Sequence, residues 1–285
     1  MLADLHMHTR FSDGSDDARS FIENIKKSGL SVFALTDHDT VDGVEAIRAA
    51  LPDDLRFIAG VEFSCICPIG KCHILGLGID PQNELLRASL AKGERVRQEK
   101  LAKRLVHLKE NYNIVFDEAE MAYIRAQNRV GKPHLANLLI RRGLATDLTD
   151  AIKKYLDLPE GESDRIPTDE AIRAIIAAGG IPVWAHPLGG EGEKHLTESD
   201  FRTLLAALLS YGIRGMECYY SRYSMESIEF LLHAAKEHHL FISGGSDYHG
   251  INKPGLKLGC LGTDDGDFSI DTDQLFGIIL QKGSV

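Results

Sequence analysis

Along the chain, short apolar runs alternate with stretches in which apolar residues recur every three or four positions. Residues 1–5, 31–36, 56–63 and 73–79 read as strands. Between them, residues 15–28 place Phe21, Ile22 and Ile25 on one helical face and stop at Gly29, and 41–50 follow as a second helix. After Pro81 the rhythm changes. Residues 85–109 predict a long amphipathic helix dense in Lys, Arg and Glu, and 116–125, 134–142 and 150–155 predict shorter helices, with Pro159-Glu160-Gly161-Glu162 as a turn-rich exit. Alternation then resumes: helices at 169–178, 197–211 and 224–238, strands at 181–185, 215–218 and 241–244, and a loose tail from Asp264.

Alternating strands and helices predict parallel βαβ units in one α/β domain. No strand is predicted between Leu85 and Asp164, so the domain is expected in two parts, 1–84 and 165–285, around a helical insertion at 85–164. The apolar runs are too short to span a membrane, and Met1 to Thr9 already holds Asp4, His6 and His8, which no signal peptide would carry. Five cysteines in 285 residues are no disulfide scaffold, so a cytoplasmic protein with reduced thiols is expected. A net charge of -10 argues against a basic nucleic-acid coat and against a stable nucleic-acid partner. The charge is uneven, however. Residues 92–154 carry +6 and the remainder -16, which reads either as a solvated helix face or as a basic cap for a phosphate-bearing substrate above an acidic site.

The histidines sharpen this picture. Five of the twelve sit in short strings: Leu5-His6-Met7-His8, Thr36-Asp37-His38-Asp39, Trp184-Ala185-His186-Pro187 and Ser246-Asp247-Tyr248-His249. His6 and His8 are two apart on a predicted strand, so both leave the same face. His38, Glu62, His186 and the Asp247/His249 pair each stand at the C-terminal end of a strand, where ligands gather in wound parallel sheets and barrels. Imidazole and carboxylate donors without thiolate suit Zn, Mn or Fe. His6, His8, Asp13, His38, Glu62, His73, His186, Asp247 and His249 suffice for two or three such ions with Glu62 bridging.

These strings, with Phe11-Ser12-Asp13-Gly14, Gly60-Val61-Glu62 and Gly245-Ser246-Asp247-Tyr248-His249-Gly250, follow in order the pattern of the PHP (polymerase and histidinol phosphatase) family of metal-dependent phosphoesterases. The resemblance runs to about Gly259 and implies a distorted (β/α)7 barrel. It implies one ion on His6, His8, Glu62 and Asp247, a second on Asp13, His38 and His249, and a third on Glu62, His73 and His186. At Asp13 the family often has His. Gly131-Lys132-Pro133-His134 resembles the Gly-Arg-Pro-His segment of the branch that dephosphorylates nucleotides and trims RNA 5′ ends, which implies phosphate contacts from His134 and from Lys132 or Arg129. Alternatively, Pro133 starts a helix that His134 merely caps.

The function expected is hydrolysis of nucleotide or short-oligonucleotide phosphate monoesters, possible 5′-3′ exonuclease action included, by a metal-bridged hydroxide attacking in line. Asp247, His249 and His134 are the candidate catalytic residues, with His249 or His134 protonating the leaving oxygen. A histidinol-phosphate-type phosphatase acting on a phosphorylated small molecule, and a metal-binding module without catalysis, are the alternatives. Cys65, Cys67 and Cys72 match no common zinc spacing and are expected as buried or half-buried thiols. His107, His195, His233, His238 and His239 are expected in solvent, and Trp184 in the core.

Overall fold

A computed structural model of the chain describes residues 2–127, 130–158, 165–190, 195–253 and 255–259. The chain forms two compact units, one from residues up to Leu90 together with those from Ile166 onward, the other from Ala91–Arg165.

The first unit is built on strands β1 (Ala3–Asp4), β2 (Val32–Leu35), β3 (Arg56–Cys67), β4 (Gly70–Leu77), β5 (Ile166–Pro167), β6 (Ile181–Trp184), β7 (Gly215–Tyr220) and β8 (Phe241–Gly245). The path β1-β2-β3-β4-β6-β7-β8 almost closes on itself, with β5 added against β3. Closure is made beyond β1, where Leu5 N–H donates to Gly244 O at 3.1 Å, Asp247 N–H to His6 O at 2.8 Å and His8 N–H to Tyr248 O at 2.9 Å. Helices α1 (Ala18–Ser28), α2 (Gly43–Ala50), α7 (Thr168–Ala177), α8 (Glu198–Tyr211) and α9 (Met225–Glu237) pack around this sheet. Caps set their ends: Asp17, Thr197 and Ser224 each accept a backbone N–H of the first turn, and α1 stops at Gly29 in a left-handed conformation.

Alternation along the strands explains why both sheet faces are buried. Val32 and Ala34 join Leu5, Ile58, Leu75, Val183 and Phe241 in one cluster, whereas Phe33 and Leu35 pack with Phe21, Ile25 and Ile47 from α1 and α2. Trp184 is 2% exposed and stacks on Phe201 at 5.1 Å, a core residue as expected.

The sheet departs from the expected all-parallel pattern in one place. β3 and β4 pair antiparallel, and so do β4 and β6. Cys67 faces Gly70 across only Pro68 and Ile69, and a two-residue connection can reverse a chain but cannot cross over to a parallel neighbour. β3 also runs to Cys67, past the expected end at Phe63, because the hairpin continues its pairing.

The second unit is helical: the latter part of α3 (Glu84–Tyr112), then α4 (Glu118–Arg125), α5 (Lys132–Arg141) and α6 (Leu148–Ala151), which runs into a π-helical turn at Ile152–Leu156. Among the described residues it contains no strand. Its core is Leu108, Phe116, Ile124, Leu135, Leu139 and Leu156 with their neighbours. α3 is not amphipathic along its whole length as expected: Leu86 and Leu90 belong to the core of the first unit and Leu108, about five turns on along the same face, to that of the second, with the charged Glu94 and Arg97 interrupting that face between them. The expected turn at 159–162 and the tail from Asp264 lie outside the described residues.

Closure of the barrel depends on close approach at Gly245, where an added Cβ would sit 2.2 Å from His6 Cβ and 2.6 Å from His6 N. Gly245→Ala is expected to destabilise the fold by about 2–3 kcal/mol, as overpacking against backbone does, read as a lowered denaturant midpoint at unchanged m-value.

Candidate metal centre

The barrel's closing seam, its strand ends and the antiparallel strand β4 deliver the histidines to one place. β1 continues as a ladder through Met7, paired with Tyr248, and this extended segment puts His6 and His8 on one face with ring centroids 5.2 Å apart. His38 follows β2 and is bridged to Glu62 in β3. His73 comes from β4, His186 from just beyond β6, and Asp247 and His249 from beyond β8. His186 and Asp247 hold positive φ angles of 29° and 57°. Asp and His are among the residues that tolerate that region, and such local strain clusters at functional sites.

Glu62 is the hub. Its Oε2 lies 3.0 Å from His6 Nε2, 3.2 Å from His8 Nε2 and 3.1 Å from His38 Nδ1. Its Oε1 lies 3.0 Å from His73 Nδ1 and 3.2 Å from His186 Nε2. Three donor groups result: His6, His8, Glu62 and Asp247; His8, Asp13, His38 and His249; and His38, Glu62 and His73, each with its ligand atoms within 4.8 Å of one another. The grouping differs in detail from the sequence reading, because His8 and His38 each serve two groups. His186 approaches Glu62 and lies 3.2 Å from His73 Nδ1. No cysteine enters these groups; among the described residues Cys65, Cys72 and Cys218 are buried and Cys67 half-buried, all outside any disulfide.

The electrostatics fit divalent cations. His6 Nε2, both ring nitrogens of His8, His38 Nδ1, Glu62 Oε2 and His249 Nε2 are buried without a hydrogen-bond partner. Buried polar atoms are seldom left so, and converging lone pairs on nitrogen and oxygen are what a cation satisfies. Burial would push the Glu62 carboxyl up, but the imidazoles of His38, His6 and His73 outweigh it and hold the group well below the usual carboxylate range. Burial is likewise outweighed at His8, where the Asp247 and Glu62 carboxylates push the imidazole up to about 9. His38, in contrast, is driven well down by burial.

Residues the sequence reading did not single out hold these groups in place. Glu217, fully buried in β7, takes His6 Nδ1 at 3.0 Å on one oxygen and accepts the His186 N–H at 2.7 Å on the other. Asp4 accepts the N–H groups of Ser246 and Gly259, and Asp37 those of Thr9 N and the Thr9 and Ser12 hydroxyls. Tyr220 and Lys253 both donate to Asp247. An acid within an apolar strand, as in Gly215-Met216-Glu217-Cys218, was the available signal for Glu217, since burial there demands a partner.

His195, His233, His238 and His239 are exposed and His107 is half-buried. In the second unit, Lys132 pairs with Asp157, and His134 Nδ1 accepts the Gly131 N–H at 3.0 Å, so its ring caps α5. Arg129 lies outside the described residues.

A model of the PHP domain matches residues 4–139. The 3′,5′-nucleoside bisphosphate phosphatase of Chromobacterium violaceum is 32% identical over 263 residues, covering 90% of either chain. The chain belongs to the PHP family. The 5′-3′ exoribonuclease Rnm of Salmonella typhimurium is 30% identical over 260 residues, 87% of this chain and 85% of that one. A solved structure from Bifidobacterium adolescentis, described as a metal-dependent phosphoesterase, matches with a TM-score of 0.78 at 28% identity, covering 98% of this chain and 96% of its own. This PHP chain is therefore a hydrolase of phosphate esters on the distorted (β/α)7 barrel expected from sequence. No helix among the described residues is long and apolar enough to cross a membrane.

Because ligands bind metal only when deprotonated, protons on His6 and His8 compete with the ion. Both groups are raised above the ordinary imidazole range, His8 to about 9. In the metal-free protein their ionic stabilisation is present below the ordinary pKa of about 6.5 and is lost as pH rises through the folded value. Mn²⁺ affinity is accordingly expected to climb between about pH 6.5 and 9, with proton release seen as a buffer-dependent calorimetric enthalpy.

Proposed function

We propose that the protein hydrolyses phosphate monoesters of nucleotides, nucleoside 3′,5′-bisphosphates above all, or of short oligonucleotides, with two or three divalent ions (Mn, Fe or Zn). The observation that carries this reading is the placement of both Glu62 oxygens among five imidazoles. His6, His8, Glu62 and Asp247 would hold one ion, Asp13, His38 and His249 with His8 a second, and Glu62, His73 and His186 with His38 a third. When bound, such ions lower the pKa of water and neutralise phosphoryl oxygens. The nucleotide preference is supported by the names of the relatives, a bisphosphate phosphatase and an exoribonuclease.

The roles of the two candidate acids separate on tautomer grounds. His249 Nδ1 lies 2.6 Å from the Asp247 carbonyl oxygen, so the ring proton sits there and Nε2, 3.2 Å from Asp13 Oδ1, presents a lone pair. That suits a ligand. His134 Nδ1 accepts from Gly131 N–H, so its proton is on Nε2. His134 is therefore the better donor to the leaving oxygen, with Lys132 and Arg129 as phosphate-binding cations. Asp247 acts as ligand.

Phosphate release with Mn²⁺ from nucleoside 3′,5′-bisphosphates, nucleoside monophosphates, 5′-phosphorylated oligoribonucleotides and histidinol phosphate tests the substrate class. Turnover is expected for the nucleotides; turnover of histidinol phosphate alone, or of nothing, contradicts it. His134→Asn is expected to lower kcat by about 100-fold or more with metal content unchanged, and a full-rate variant contradicts its role.

A further inference from the structure

The two oxygens of Asp247 lie in different surroundings. Oδ1 is 3.3 Å from His8 Nε2, 3.6 Å from His6 Nε2 and 3.5 Å from His249 Nδ1, inside the imidazole cluster. Oδ2 accepts hydrogen bonds from the Tyr220 hydroxyl at 3.1 Å and from Lys253 Nζ at 3.0 Å. Tyr220 is fully buried in β7, so its hydroxyl is fixed by packing. Lys253 follows the 3-10 turn Gly250–Asn252, which is pinned on the Asp13 loop: Ile251 N–H donates to Ser15 Oγ at 3.0 Å and Asn252 Nδ2 to Asp13 O at 2.8 Å. The ammonium thus reaches Asp247 from an anchored segment.

The geometry points to Lys253 and Tyr220 as a clamp that makes Asp247 a one-oxygen ligand of the centre; this rests on the reading of Asp247 as a metal ligand. Two physical effects follow, and they act in the same direction. A carboxylate whose Oδ2 is released can rotate and offer both oxygens to an ion, filling a position that water or substrate needs. An ammonium held against a ligand oxygen also repels a divalent ion bound to that ligand. The clamp therefore lowers metal affinity while preserving an open position. Lys253 is a positioning residue, acting through Asp247.

This gives a signature that neither a lost ligand nor a fold defect produces, because either of those weakens metal binding and activity together. Lys253→Met is expected to bind Mn²⁺ about tenfold more tightly, by titration against a competing chelator, while kcat falls about tenfold. Lys253→Arg, which keeps the charge and the donor, returns both values toward wild type. Tyr220→Phe, which keeps the packed ring, shifts both in the same sense by less. Unchanged or weaker Mn²⁺ binding in folded Lys253→Met overturns the clamp, and unchanged binding with a raised KM makes Lys253 a substrate contact instead. Absence of Mn²⁺ binding by the wild-type chain overturns the metal reading itself, a result distinguishable from failure of the clamp alone.

Discussion

A carboxylate with no solvent exposure, surrounded by five imidazoles, is the constraint on which the first unit depends. Glu62 cannot be buried alone, since an isolated ionised carboxylate in an apolar interior is prohibitively costly. Its two oxygens divide the imidazoles between them, His6, His8 and His38 on one and His73 and His186 on the other. Those histidines come from the closing seam (His6 and His8), from beyond β2 and β6 (His38 and His186) and from within β4 (His73), so the hub forms only when the barrel closes. The fold and the centre are for this reason one cooperative problem, and the hydrogen bonds near Gly245 that close the sheet also set the spacing of His6 and Asp247.

Around that hub lies a layer of buried acids and hydroxyls that orients the imidazoles. Glu217 spans from His6 Nδ1 to the backbone of His186, tying β1, β6 and β7 at one carboxylate. Asp4 and Asp37 organise the loops that carry the remaining donors. Metal-binding imidazoles commonly need such a partner on the second ring nitrogen, which fixes both tautomer and ring direction.

Much of this was legible in the sequence, for identifiable reasons. His6, His8, His38, Glu62, His186, Asp247 and His249 could be assembled from strings that follow apolar runs, because a parallel strand delivers the residue after it to the C-terminal edge. The β3–β4 hairpin was not legible as antiparallel: the expected strands stopped at Phe63 and began at His73, which hid the two-residue turn Pro68-Ile69, and the apolar pattern of a strand does not encode its direction. Sharing of His8 and His38 between donor groups was hidden as well, since spacing along a strand says which face a side chain takes but not which neighbour's atoms it meets. Glu217 reads along the chain as one acid among many, and its partners come from 31 and 211 residues away. α3 looked like one amphipathic helix because its composition is uniform, whereas its buried leucines serve two different cores.

Whether the Glu62 carboxylate joins several ion sites, as proposed, is tested most directly by Glu62→Gln, since the amide keeps the shape and removes the charge. Elemental analysis of the purified, folded variant against wild type is the measurement. More than one bound ion lost per chain, together with loss of phosphatase activity, is the result expected. Wild-type metal content in Glu62→Gln, or loss of a single ion with the others retained at full affinity, contradicts the account.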